Sequence, residues 1–145
     1  MYLYNDSYFL LYQIDMIMSR LSFFRLFLIL VSVHSVCVGL GLIFIPLSAY
    51  DVFGFADYHG AFFKIQGGIF HLIMALVYFQ ASRDPLRNKG FVWLTIVAKF
   101  TATVFLFTFY LFAERIWMVL ASGAGDLLMG LVVLVLNLQI TDSWT

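Results

Sequence analysis

Four titratable residues, His34, His71, Lys99 and Asp126, each lie inside a long apolar stretch of this chain. Residues 120–138, LASGAGDLLMGLVVLVLNL, set Asp126 among residues that are nearly all apolar or small. An ionised Asp at the centre of a membrane-spanning helix costs about 2.5–3.5 kcal/mol on insertion scales, so it must face protein or water and have a partner. The chemistry open to such a set is limited. Lys99 and Asp126 can form an ion pair that fixes helix register. Lys99 and His71 as donors, with Asp126 as partner or acid–base group, can hold the polar end of a small hydrophobic molecule such as a quinone, a sterol-like lipid or an aromatic. His34 and His71, on different stretches, can ligate haem b axially. The same groups can also relay protons or ions, although the repeats and broken helices of transporters are not evident.

Other chemistry is excluded. Cys37 is the single cysteine, so there is neither a disulfide framework nor a Cys-x-x-Cys pair. No Gly-rich phosphate loop, nucleophile elbow or clustered metal motif occurs. With a formal net charge of zero the chain has no footprint for nucleic acid.

The elements that must carry these residues follow from composition. The 145 residues are 63% hydrophobic and 11% charged, far from the balance of a soluble domain. Stretches of about twenty apolar residues span a bilayer as helices. Four are readable, at 26–47, 60–80, 91–112 and 116–138, and the loops between them are too short for a soluble domain. The expected fold is all-α: a four-helix transmembrane bundle over residues 23–145. The first span is too long for a signal-peptide core and is expected to be retained.

Residues 1–22 read as a short amphipathic helix lying in the headgroup plane. Asp6 or Ser7 is its expected cap, and Phe9, Leu10, Ile14, Ile17 and Leu21 are its apolar stripe. Pro46 ends or kinks span one. The loop after it carries Tyr50, Phe53, Phe55 and Tyr58, residues suited to an interfacial belt, and YDVF reads as a brief helix. Asp84-Pro85 starts the turn after span two.

The span midpoints fall near residues 36, 70, 101 and 127. His34, His71, Lys99 and Asp126 lie within about three residues, or ~4–5 Å of rise, of those centres. Four helices thus bring four titratable groups to one depth, with Lys64 and Gln66 about 6–9 Å toward one face. Lys64 can also snorkel out of the layer. On span two, Lys64, Gly67, Gly68, His71 and Ala75 share a face whose small residues admit a neighbouring helix.

Basic residues set the orientation. Arg20 and Arg25 precede span one, and Arg83, Arg87 and Lys89 lie between spans two and three. By the positive-inside rule both termini are cytoplasmic.

The motif order resembles that of the DoxX-like and BphX-like small four-helix membrane proteins, over about residues 25–140. The carriers are GLGLIFIPLSAYDVFGF, Lys64 before Gly67 and Gly68, ASRDPLRNKG, Lys99 in span three and GDLLMG in span four. Lysines stand at 64 and 99 where that group is expected to have arginine, so bidentate recognition is not implied. The resemblance implies a compact four-helix bundle in a bacterial inner membrane. Some members of that group are membrane subunits beside redox enzymes.

The function expected from these readings is that of a non-catalytic accessory subunit of a larger membrane complex, in contact with lipid and with other membrane subunits. The alternatives are a hydrophobic-ligand binder around Asp126, and a haem b carrier through His34 and His71.

Overall fold

The computed structural model describes residues 3–55 and 60–142. The chain forms four long helices, α1 (Leu3–Phe44), α2 (Ala61–Arg83), α3 (Lys89–Phe112) and α4 (Trp117–Asp142), with a 3₁₀ helix at Leu47–Phe53. No strand occurs among the described residues. All four α-helices are long and apolar enough to cross a membrane. The protein is therefore a multi-pass, all-α membrane bundle.

The helix ends fall within a few residues of the expected spans, except at the N-terminus. There the expected separate interfacial helix does not form, and α1 runs unbroken from Leu3 into span one. The physical reason is the lack of a breaker, since the first glycine is Gly39 and the first proline Pro46. At 42 residues, α1 is ~63 Å long, about twice a hydrocarbon core. The side chains of its residues 3–14, among them Asp6, Ser7, Phe9, Leu10 and Ile14, lie outside the described residues, as does Tyr58.

Helix α1 packs chiefly on α2, and α3 on α4. The two hairpins then close against each other over an apolar core of Phe24, Leu28, Tyr78, Val92, Val133 and Ile140, among others. Every one of these residues comes from the basic-loop half of the bundle. At that end Arg25 Nε donates to the Ser82 carbonyl at 3.2 Å, which ties α1 to the end of α2.

Small residues set the α1–α2 distance. A Cβ at Gly68 would lie 2.7 Å from the Gly39 carbonyl oxygen and 2.6 Å from Ile43 Cγ1. Nearby, Ser32 Oγ donates to the Ala75 carbonyl at 2.8 Å and Ser35 Oγ to the His71 carbonyl at 2.9 Å. Without a hydrophobic drive between helices in lipid, close backbone approach and such bonds are what hold a pair together.

At the other end, Pro46 stops α1 and the chain turns through the 3₁₀ helix. Gly54 closes it in the left-handed region, φ 87°. Trp117 Nε1, at the start of α4, donates to the Val52 carbonyl at 3.3 Å and so fastens this segment to α4.

Gly68→Ala should force α1 and α2 apart and lower stability by about 1–3 kcal/mol, seen as a lower unfolding midpoint in mild detergent. Gly90→Ala, where a Cβ meets nothing within 4 Å, should leave the midpoint unchanged or raise it slightly.

Candidate functional site

Lys99 and Asp126 meet where the packed half of the bundle ends. Lys99 Nζ donates to Asp126 Oδ1 at 2.6 Å, and the two residues are only 3% and 9% exposed. The Lys99 ammonium also lies 5.3 Å from the centre of the Tyr78 ring on α2, within range of a cation–π attraction. Gly130 makes the room for this lysine, since a Cβ there would stand 3.2 Å from Lys99 Cβ. Thr103 Oγ1 donates back to the Lys99 carbonyl at 2.8 Å.

Beyond the pair the bundle is hollow. A cavity of about 530 Å³ reaches from Asp126, His34 and His71 to Tyr50, Phe53 and Phe55 in and beside the 3₁₀ helix. Its walls are otherwise mostly apolar, and its size suits a small molecule. His34 and Cys37 on α1, with Ala121 and Ser122 on α4, line it and are exposed. The cavity therefore opens sideways between α1 and α4. All four of those residues lie within the segments able to cross a membrane, so the opening lies within the spans.

Three polar groups of the floor are uncommitted. Asp126 gives Oδ1 to Lys99, while Oδ2 accepts no hydrogen bond among the described residues. Among the described residues His34 makes none, and His71 uses only one ring nitrogen, Nδ1, which lies 3.3 Å from Ser35 Oγ. With the Ser35 hydroxyl donating to the His71 carbonyl, the tautomer that completes the second contact has Nδ1 as donor, and in that tautomer Nε2 is an acceptor.

The other expected members of the layer behave differently. Lys64 does not snorkel outward. It is 9% exposed, its ammonium donates to the Ile45 carbonyl, and it lies 5.2 Å from the centre of the Tyr50 ring. That carbonyl, one residue past the end of α1, has no helical successor to bond it, and a lysine supplies the donor. Gln66 is exposed on the outer surface of α2 and has no place in the cavity.

Tyr50 is 7% exposed and covers the cavity instead of joining an interfacial belt. Its ring packs edge-on against Phe53 and tilted against Phe55, with centroids 6.4 and 5.7 Å apart.

Sequence reasoning missed Ser35, Tyr78 and Cys37 as site residues. Tyr78 was findable, standing seven residues after His71 on the same helix face. Cys37 stands three residues after His34, one turn along α1, and shares its wall of the cavity.

Comparison with protein-family models, with curated proteins and with solved structures finds no match. Fold and site together define a four-span membrane protein with a polar-floored cavity that opens between α1 and α4 within the spans.

Asp126→Leu leaves the Lys99 ammonium buried without its partner and should lower stability by about 3–5 kcal/mol. Lys99→Met combined with Asp126→Leu should recover most of that loss. Equilibrium unfolding of the two single variants, the double variant and the parent measures the coupling directly.

Proposed function

We propose that the protein binds a small lipophilic molecule, taken up from the bilayer between α1 and α4 and held with its polar end at mid-depth. The observation that supports this most is the combination of a cavity of about 530 Å³ opening within the spans with Asp126 Oδ2, His34 and His71 Nε2 at its floor, none of them hydrogen-bonded among the described residues. Polar groups inside a membrane are expensive unless they meet a partner. A small ligand whose polar end reaches the floor is such a partner. A bundle needing only structural bonds would bury these groups against one another.

The length of α1 favours a second role, as accessory subunit of a larger membrane complex. N-terminal to Arg25, which marks the end of α2 through its bond to Ser82, α1 continues for about 22 residues or ~33 Å of rise. That projection suits contact with another protein. We further propose that the chain is a DoxX-like or BphX-like protein of a bacterial inner membrane, on the motif order read above. Its basic end, with Arg20, Arg25, Arg83, Arg87 and Lys89, would face the cytoplasm, and both termini with it.

Purification in mild detergent, with mass spectrometry of the organic extract and an absorption spectrum of the same sample, tests the binding role. One lipophile in near-stoichiometric amount is expected. Gly125 lines the cavity, and a Cβ there meets nothing within 4 Å. Gly125→Leu should therefore fold normally and carry about tenfold less of that molecule, as blocking the site should weaken binding by 1.4 kcal/mol or more. An extract without any such molecule, alongside fixed-stoichiometry protein partners, would transfer the assignment to the subunit role. A Soret band lost in His34→Ala and in His71→Ala would assign the cavity to haem b.

A further inference from the structure

We propose that the molecule held in the cavity carries a neutral hydroxyl head, an alcohol or a phenol, seated at mid-depth against Asp126 and His71, with its apolar body running toward Tyr50 and Phe53. This rests on the reading of the cavity as a lipophile site and names the chemistry that site selects. Two of the three uncommitted floor groups are acceptors. Asp126 Oδ2 is a carboxylate oxygen whose partner atom is already bonded to Lys99. The other is His71 Nε2, an acceptor in the tautomer whose Nδ1 donates to Ser35 Oγ. A floor rich in acceptors requires a ligand that donates.

Charge narrows the class. Lys99 and Asp126 neutralise each other, so the floor carries no net charge for a ligand to balance. A carboxylate or phosphate head would bring a like charge against Oδ2 and a lone pair against Nε2. An ammonium head would add an uncompensated charge to a cavity walled by apolar residues and lipid, which is disfavoured. A ketone, ether or ester has nothing to donate. A hydroxyl donates to one of the two acceptors, and its oxygen can still accept from the imidazole of His34. Because the opening lies within the spans, the rest of the ligand must be lipid-soluble.

The test uses the full chain in lipid nanodiscs and a matched set of probes, 4-nonylphenol, 4-nonylanisole and 4-nonylbenzoic acid, which differ only in the head. Cys37 is the single cysteine of the chain and lines the cavity. Its rate of alkylation by N-ethylmaleimide therefore reports occupancy, and the shift of the unfolding midpoint by each probe reports it independently of the thiol. The phenol is expected to protect Cys37 and raise the midpoint at about tenfold lower concentration than the anisole or the benzoic acid, one buried hydrogen bond being at stake. In the Lys99→Met, Asp126→Leu double variant the advantage of the phenol over the anisole should shrink. Equal action of phenol and anisole on the parent protein would overturn the hydroxyl head while leaving the cavity reading intact. Preference for the benzoic acid would overturn it as well. A preference unchanged in the double variant would overturn the role given to Asp126. If none of the three probes alters either readout, the cavity reading itself fails.

Discussion

The buried pair of Lys99 and Asp126 is the interaction on which the remaining structure depends. Neither charge can be left alone in a membrane interior, so α3 and α4 must hold a single register. The consequences spread outward from that requirement. Gly130 is small because the lysine passes it. Tyr78 brings α2 to the ammonium with its ring face. Helix α1 is held through α2 in turn, by the Gly39–Gly68 approach and the two serine bonds. The order of attachment thus runs from the charge pair to the aromatic ring and then to the glycine crossing.

That pair also divides the molecule. On the side of the basic loop, side chains such as Phe24, Leu28, Val92 and Val133 are essentially sealed. On the side of the 3₁₀ helix the cavity opens the bundle, and its walls are joined by hydrogen bonds from Lys64 and Trp117 as well as by the close approach of Phe107 to Gly123. A protein that needed only four packed helices would fill both halves alike. Here packing in one half supplies the rigidity and the other half keeps the space, with titratable side chains at the boundary between them.

Much of this was legible in the chain itself. Four apolar runs gave the helices to within a few residues, because length and hydropathy decide a membrane span. The meeting of Lys99 with Asp126 was readable as well, since rise per residue places both near the centres of their helices. The sequence offered no view of rotation about each helix axis. For that reason Gln66, close to the layer in depth, turned out to face outward, and Lys64 turned out to cap α1. The cavity was not legible at all, because empty space depends on how two hairpins meet. The interfacial segment was misread because an amphipathic stripe marks a helix without marking where it bends, and only a breaker between residues 22 and 26 would have separated it from span one.

The unbroken course of α1 has a mechanical consequence. From the crossing at Gly39 to Leu3 the helix extends for about 36 residues, or ~54 Å, whereas the cavity wall at His34 and Cys37 lies within about 8 Å of the same crossing. The helix is not free to swing about that crossing, because Arg25 and the sealed side chains of Phe24 and Leu28 hold it ~21 Å further along. Two fixed points that far apart set the direction of everything beyond them, so the roughly 22 residues from Arg25 back to Leu3 stand out as an arm of ~33 Å whose bearing is decided inside the packed half.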